Sequence, residues 1–170
     1  IGGDGYLSIP DPDNPDIHYA ESQYCGLRRY DHRTQNSISI KPQPLEDEVY
    51  RFNWNTPYFI SPHDSKTLYV AANKVLKSTD RGESWKEISP DLTRQLDVDL
   101  LPMMGKIWPP EAIAKSMSTS PFGNIFALNE SPLEKGVIYA GTDDGLIWRT
   151  DNDGGDWIKY SSFPGVPDMT

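Results

Sequence analysis

Residues 78–85 read Ser-Thr-Asp-Arg-Gly-Glu-Ser-Trp, and residues 150–157 repeat the spacing as Thr-Asp-Asn-Asp-Gly-Gly-Asp-Trp. Both follow the pattern S/T-x-D/N-x-G-x-x-W, which is called an Asp-box. The short acid or amide at its third position can accept hydrogen bonds from backbone N–H groups just ahead of it, and the glycine supplies the positive φ that a tight turn needs. The tryptophan covers the turn with a large apolar ring. We expect structural roles for Ser78, Asp80, Gly82, Trp85, Thr150, Asn152, Gly154 and Trp157.

Short β-rich runs recur along the chain, and each contains a tyrosine: Tyr19, Tyr69 and Tyr139. A proline-bearing polar turn precedes each run, and a second apolar stretch follows it. The unit therefore reads strand, polar turn, strand, short loop, strand, Asp-box turn, strand. Repeats made of four short strands indicate the blades of a β-propeller. In the first unit the box is incomplete, because residues 30–33 keep an Asp but lack the Gly and the Trp.

The predicted fold is all-β: a partial β-propeller of about two to three four-stranded blades with a short helical insertion. We expect the whole of 1–170 to be a fragment of one propeller domain. Its blade-like units are expected at about 5–45, 55–92 and 122–163. Residues 93–121 form an insertion that is too long for an ordinary loop, which marks an ordered or functional element.

Helical spacing occurs only in this insertion, in segments 97–104 and 110–117. In the second segment three apolar residues would share one helix face. We expect this face to pack against the propeller, with a partner-binding or substrate-gating lid as the alternative. The three residues are Ile113, Ala114 and Met117.

Composition excludes several classes of protein. The chain of 170 residues is 36% hydrophobic and 11% aromatic, and no stretch approaches the ~18–20 apolar residues of a membrane helix. We therefore expect no membrane span. A net charge of −9 argues against nucleic acid as a partner. Cys25 is the only cysteine, so no internal disulfide and no cysteine metal cluster can form.

No metal or other cofactor is predicted. The histidines His18, His32 and His63 are dispersed without the spacing of a zinc site. Residues 11–16 contain three aspartates, but their prolines and the missing glycine break the pattern of an EF-hand loop. We interpret this segment as a turn between strands, and calcium binding there remains a minor alternative.

A partial propeller has exposed faces. Each blade buries its faces only against neighbouring blades, and closed propellers typically have about four to eight of them. Two or three blades leave apolar faces and sheet edges open to other chains. We therefore expect either that the chain is part of a larger parent that supplies the remaining blades, which is the interpretation we favour, or that it self-associates.

Several further segments match one family across nearly the whole chain: residues 2–5, 51–57, 60–64, 68–69, 78–85, 88–93, 108–112, 131–132 and 141–145. They look like the bacterial sortilin-like BNR/Asp-box repeat proteins, which are large exported propeller proteins often labelled glycosyl hydrolases. The resemblance implies a secreted, periplasmic or cell-envelope location. It also implies that the boxes lie on the outer edge, away from the central ligand face. The same fold hosts receptors, hydrolases and assembly factors.

Candidates for a glycosidase site are few. Such enzymes need two carboxyl groups at a controlled separation across the sugar bond. Four acids lie near glycine-rich or strand-end positions, and none has a spacing that demands catalysis: Asp4, Glu21, Asp143 and Asp144. Asp4, between glycines, and Asp144, near the end of a predicted strand, are the two that we keep as candidates. For Asp4 we favour the role of a turn residue that bonds the backbone. Three aromatic residues are candidates for stacking on sugar rings: Tyr24, Trp54 and Trp108.

The sequence thus favours an exported, non-catalytic propeller scaffold that presents strand-end loops to a protein or carbohydrate ligand. The alternative is part of a glycoside hydrolase, a sialidase- or xyloglucanase-like propeller whose carboxylates are divided between this chain and other blades. A third possibility is an assembly or stability factor for an envelope complex.

Overall fold

The computed structural model describes residues 2–44, 48–113, 115, 117 and 120–166. Within these ranges the chain forms three four-stranded antiparallel sheets and one short 3-10 helix, Val98–Leu100. This architecture confirms the predicted all-β fold made of propeller-type blades. The strands are β1 (Gly5–Pro10), β2 (Ile17–Ser22), β3 (Arg28–Asp31), β4 (Asn36–Ser39), β5 (Tyr58–Ile60), β6 (Leu68–Ala71), β7 (Val75–Ser78), β8 (Lys86–Glu87), β9 (Ile125–Glu130), β10 (Ile138–Thr142), β11 (Ile147–Thr150) and β12 (Ile158–Tyr160).

Each sheet is a simple meander in which every strand pairs with its neighbours in sequence. We call β1–β4 the first sheet, β5–β8 the second and β9–β12 the third. In antiparallel meanders successive turns alternate between the two ends of the sheet. The turns after β1 and β3, and the corresponding turns of the second and third sheets, lie at one end, which we call the box end. The opposite "connector end" holds residues 23–27, 72–74 and 143–146 together with the described residues of the inter-sheet connections 40–57 and 88–124.

The second sheet is covered on both faces. All four residues of β6 are buried, and alternate residues of a strand point to opposite faces. Leu68 and Val70 belong to the core shared with the first sheet, whereas Tyr69 and Ala71 belong to the core shared with the third. Among the described residues, the first and third sheets each have an apolar cluster on one face only.

Two apolar clusters join the sheets. Fully burying one large apolar side chain stabilises a fold by about 1.5–3 kcal/mol, so these clusters hold the three sheets together. The first cluster lies between the first and second sheets and includes Tyr19, Leu27, Ile40, Phe52, Tyr58, Leu68, Val70 and Leu76. The second lies between the second and third sheets and includes Tyr69, Ala71, Val75, Leu92, Ile125, Ile138 and Ala140.

The turn at 78–85 is closed by side-chain oxygens. The Ser78 hydroxyl accepts a hydrogen bond from the Gly82 N–H at 2.8 Å, and Asp80 Oδ1 accepts one from the Ser84 N–H at 2.9 Å. Gly82 has φ 86°, a conformation that glycine adopts without steric cost. Because the hydrogen bonds hold Asp80 in its charged form, its pKa is lowered to about 2.

The turn at 150–157 repeats this geometry. Thr150 Oγ1 accepts from the Gly154 N–H at 3.0 Å, and Asn152 Oδ1 accepts from the Asp156 N–H at 2.9 Å. Gly154 has φ 89°, and a Cβ at this position would collide with the Ile88 backbone carbonyl of the second sheet. The glycine is therefore required both by the turn and by close contact between neighbouring sheets.

The insertion differs from its prediction. Among the described residues of 97–104 and 110–117, helical structure is confined to Val98–Leu100, and residues 110–113 form turns. The expected packing of Ile113 and Met117 against the propeller is wrong, because these side chains are 100% and 83% exposed. Ala114 lies outside the described residues. An isolated short helix is marginal in water without an apolar surface to pack on.

No helix in the described part of the chain is long and apolar enough to cross a membrane.

Candidate ligand-binding site

A groove of about 830 Å³ opens at the connector end, between the insertion and the turn after β2. Polar, charged and apolar side chains all line it, as is usual for ligand sites in proteins. The residues that decide its chemistry are Tyr24, Arg51, Asp91, Asp97, Lys115 and Phe122.

One wall of the groove is built around Arg51. Its Nε donates to the Gly123 carbonyl at 2.8 Å, and its Nη2 donates to Asp91 Oδ2 at 2.9 Å and to Thr93 Oγ1 at 3.0 Å. Burial alone would raise the pKa of Asp91, but hydrogen bonds from Thr93, from Asn73 and from the guanidinium more than offset this, so the pKa lies below its ordinary value. Arg51 and Asp91 therefore form a charged pair that ties the inter-sheet connections together.

The insertion is held by Lys115, whose side chain is only 2% exposed. Its ammonium donates to the backbone carbonyl of Asp99 at 2.7 Å and to that of Trp108, and it lies 3.6 Å from the Asp99 carboxylate. A buried ammonium is stable only when its donors are matched in this way. The positive charge of Lys115 is thus used inside the protein.

Two of the predicted stacking residues lie together. The rings of Tyr24 and Trp54 meet edge to face with their centroids 5.1 Å apart. The Tyr24 N–H donates to the Trp54 carbonyl at 3.2 Å, and the Trp54 N–H donates to Ser120 Oγ at 2.9 Å. Tyr24 is 38% exposed and lines the groove, so the pair presents an anchored aromatic edge beside the cavity.

Trp108, the third stacking candidate, is not among the residues that line the groove. Its indole N–H donates to the Met103 carbonyl at 3.1 Å, and the Lys106 ammonium lies 4.3 Å from its ring centroid. The tryptophan is 40% exposed. Its polar atom is satisfied within the insertion, and the described contacts do not join it to Tyr24 or Trp54.

The structure does not bring the two candidate carboxylates together. Asp4 is exposed just before β1, whereas Asp144 is buried in the turn between β10 and β11, and the second sheet lies between them. Asp144 Oδ2 accepts from the Arg94 N–H at 2.5 Å, and Oδ1 accepts from the Thr142 hydroxyl. Both lie at the connector end, but neither lines the groove.

Asp143, one of the four acids that the sequence places near glycine-rich or strand-end positions, anchors the chain that enters β9. Its Oδ1 accepts from the N–H groups of Gly123 and Asn124 at 3.0 and 2.9 Å. Burial is the main cause of its raised pKa, and the neighbouring Asp144 acts in the same direction. No local spacing pattern distinguishes this aspartate from the others in the sequence.

Glu21, on β2, is another of these four acids. It is 1% exposed, and neither carboxylate oxygen makes a hydrogen bond of ordinary geometry to the described residues. Burial raises its pKa to about 8, against the opposing effect of the Thr56 backbone N–H. Cys25 and Tyr58 face it, and burial raises the pKa of each of these groups as well. The group is a neutral acid inside an apolar cluster at neutral pH.

The three histidines do not come together as a metal site. His18 and His32 meet edge to face at 4.6 Å on the first sheet, and His63 Nε2 lies 2.8 Å from the Ser131 carbonyl of the third. Across the described residues, no group of three or more His, Cys, Asp or Glu side chains is placed to hold a metal ion.

No family model matches the chain, but the chain is similar to several known proteins. Xyloglucanase Xgh74A of Acetivibrio thermocellus is 26% identical over 178 residues, which cover 96% of this chain and 18% of that protein. The GH74 xyloglucanase of Xanthomonas campestris superposes with a TM-score of 0.56 at 23% identity, covering 96% of this chain and 22% of that one. The GH74 enzyme of Niastella koreensis gives 0.54 at 19% identity, covering 100% and 23%.

These structural similarities show the fold, because the chain superposes on part of each solved enzyme. In sequence the chain is similar to a part of a xyloglucanase, and it spans 18% of the length of that curated relative. The sequence similarity is thus to part of a glycoside hydrolase, and the superpositions support a β-propeller fold.

Proposed function

We propose that this chain provides three blades of a larger, exported β-propeller that binds a carbohydrate chain at its connector end. The blades correspond to the units at about 5–45, 55–92 and 122–163 of one domain, and 93–121 forms one wall of the binding groove. The observation that carries the proposal is the groove flanked by the Tyr24–Trp54 pair. The sequence similarity to a xyloglucanase supports a carbohydrate as the ligand.

The groove has the chemistry of a carbohydrate site. An aromatic ring offers a large apolar surface to the C–H face of a sugar, and nearby polar groups can fix the orientation of its hydroxyls. Tyr24 and Phe122 supply the apolar surface, and Gln95 and Asp97 add polar groups. Because Arg51 is paired with Asp91 and Lys115 is buried, the groove does not depend on an anionic ligand.

Binding is favoured over catalysis for the described residues. A glycosidase needs one carboxylic acid to protonate the leaving group and a second carboxylate across the sugar. Asp91 is held ionised by hydrogen bonds from Thr93, Asn73 and Arg51. Asp97 Oδ1 accepts from the Asp99 N–H at 2.9 Å at the start of the 3-10 helix. In this proposal Asp4 and Asp144 have structural roles, and the residues of the two Asp-boxes stabilise the turns between strands. We also propose a relationship to the sortilin-like BNR proteins, based on the sequence segments that resemble them.

The proposal is tested with the variants Tyr24→Ala and Trp54→Ala, titrated with xyloglucan oligosaccharides by isothermal titration calorimetry. Losing one aromatic contact of ~1.4 kcal/mol weakens binding about tenfold. Trp108→Ala is the matched control, since its ring lies outside the groove, and its Kd should equal that of the parent. Equal affinity in all variants would reject carbohydrate binding by the Tyr24–Trp54 pair. Release of reducing ends that depends on Asp4 or Asp144 would reject a non-catalytic role.

A protein partner is the second candidate, and the insertion favours it. Exposed apolar side chains are concentrated in the insertion, and such a concentration is typical of protein interaction sites. A scaffold or assembly role would leave xyloglucan oligosaccharides unbound in the titration above. The exposed apolar residues are Leu100, Met103, Met104, Ile107, Ile113 and Met117.

A further inference from the structure

The tryptophan of each Asp-box bonds the sheet that precedes it. Trp85 Nε1 donates to the Ile40 carbonyl at 2.8 Å, and Trp157 Nε1 donates to the Ile88 carbonyl at 2.8 Å. Ile40 follows the last strand of the first sheet, and Ile88 follows the last strand of the second. Each box is therefore a clamp between two neighbouring sheets, in addition to being a turn.

The residue before the box glycine makes a second inter-sheet contact. In the third sheet it is Asp153, whose Oδ1 accepts from the Tyr69 hydroxyl at 3.1 Å and whose Oδ2 accepts from the Lys77 ammonium. In the second sheet it is Arg81, whose Nε donates to Asp11 Oδ2 of the first sheet at 2.7 Å. In both boxes the residue before the glycine therefore carries a charge opposite to that of its partner in the preceding sheet.

The third sheet repeats the receptor half of this clamp on its free face. Tyr139 pairs with Arg149 in the same register in which Tyr69 pairs with Lys77. The cation lies over the tyrosine ring in both sheets, at 5.9 Å for Arg149 and 5.5 Å for Lys77. Tyr160 follows Trp157 by the same interval at which Ile88 follows Trp85.

Burial separates these equivalent positions. Tyr69 and Val75 are 1% and 0% exposed because the third sheet covers them, whereas Tyr139 and Ile147 are 46% and 42% exposed. Tyr160 is 41% exposed. The free face therefore has the apolar residues, the hydroxyl and the cation of a clamp, and no further sheet covers them among the described residues. Arg149 is paired within its own sheet, with its Nε 2.7 Å from Asp151 Oδ1.

We propose that this free face binds a further four-stranded sheet that carries an intact Asp-box. The box tryptophan donates to the Tyr160 carbonyl, and an acid before the box glycine accepts from the Tyr139 hydroxyl and from Arg149. The inference rests on the proposed assembly of blades into a propeller and specifies the partner sheet by its chemistry. We name the free face, formed by Tyr139, Ile147, Arg149, Ile158 and Tyr160, the receptor face.

A second copy of this chain does not fit the requirement. In a head-to-tail pair the receptor face would meet the first sheet, whose turn between β3 and β4 contains neither the glycine nor the tryptophan of a box. That sheet cannot supply the indole donor, and its turn, residues 32–35, reads His-Arg-Thr-Gln and contains no acid. The boxes of the second and third sheets already clamp within the chain.

The test is a tandem chain, in which the full sequence is followed by a second copy of residues 122–166. The appended copy contains the box at 150–157, with Asp153 before its glycine. The tandem is expected to melt in one cooperative transition. Replacing Arg149 of the first copy by Met should lower the Tm of the tandem by about 2–4 °C, the shift that the loss of one such contact gives in a chain of this size. In the unextended chain the same substitution removes only the surface contacts of Arg149 with Asp151 and with the Tyr139 ring, so the Tm should fall by much less.

Three controls make the result decisive. Lys77→Met should lower the Tm of both chains, because its clamp is complete in each, and Asp153→Asn in the appended copy should abolish the effect of Arg149→Met. Two separate transitions, or equal effects of Arg149→Met with and without the appended sheet, overturn the proposal. So does a dimer of the unextended chain that Tyr139→Arg dissociates in light scattering. Oligosaccharide binding is measured separately, so loss of the carbohydrate proposal would leave this result intact.

Discussion

At the scale of single residues, two buried acids have opposite environments. Asp11 is fully buried as a side chain but is paired with Arg81 at 2.7 Å, and its pKa is lowered because hydrogen bonds and the guanidinium outweigh its burial. Glu21 is equally buried and has no such partner. A buried charge needs a counter-charge or hydrogen bonds, and otherwise the group becomes neutral. The first acid therefore links two sheets as an ion, and the second fills space as a neutral acid.

Glu21 should make stability depend on pH. Its folded pKa of about 8 exceeds the ordinary value of 4.5, so the folded protein binds a proton that the unfolded chain has lost. The stabilising contribution is fully present below pH 4.5 and is lost as the pH rises to about 8, at on the order of 1 kcal/mol per pH unit. Urea unfolding at several pH values should show this slope, and Glu21→Gln should flatten it.

The matched control for this measurement is Glu83→Gln. The Glu83 side chain is 59% accessible and pairs with Arg29 at the surface. Because surface ion pairs contribute little to stability, this substitution should change the slope far less than Glu21→Gln. A pH dependence that is the same in the parent and in Glu21→Gln would show that the carboxyl is solvated in the folded state.

At the scale of elements, the insertion is an irregular segment held by polar contacts. Its apolar residues are exposed, and Lys115 binds two backbone carbonyls within it. Polar anchoring of this kind fixes a loop without an apolar core of its own, whereas the strands are fixed by the clusters between sheets. The groove wall should therefore be less stable than the sheets that support it.

Lys115→Met should loosen the insertion without unfolding the sheets. The substitution leaves two carbonyls without their donor, at a cost of about 1–3 kcal/mol, and this cost falls on the insertion because the ammonium contacts only that segment. Limited proteolysis should cut within 94–113 several-fold faster, while the main thermal transition moves little. Lys106→Met is the control, since the Lys106 ammonium only lies over the Trp108 ring. Equal cleavage rates in the two variants would contradict the anchoring role.

At the scale of the whole molecule, burial is greatest in the middle. The second sheet has apolar clusters on both faces, and each flanking sheet has one. Stability in stacked units depends on contacts with neighbours. The three sheets should therefore differ in local stability even though their topology is the same.

Hydrogen exchange should show this difference. The amides of β6 and β7 are expected to exchange slowest, and those of β4 and β12 at the outer edges fastest, because opening the outer strands exposes the least apolar surface. Mass spectrometry of peptic peptides would measure it in the unmodified chain. Uniform protection across the three sheets would mean that they unfold as one unit.

The fold was predictable because its signals are local. A box of eight residues contains the acceptor, the glycine and the ring that close its turn, and alternation within short runs indicates the strands. The groove was less predictable. Tyr24 and Trp54 were candidates by residue type, but the pairing of Arg51 with Asp91 joins two distant connections and has no signature in either. The insertion helix failed because spacing alone supplies no surface for the face to pack against.

The three tyrosines show what the sequence determined and what it left open. Tyr19, Tyr69 and Tyr139 occupy the same place in three similar strands, and the local pattern alone assigned each one to a β-strand. Only the tertiary structure distinguished them, at 0%, 1% and 46% exposure. Strand formation depends on backbone and neighbouring residues, whereas burial depends on whether another sheet lies against the face, which no single repeat encodes.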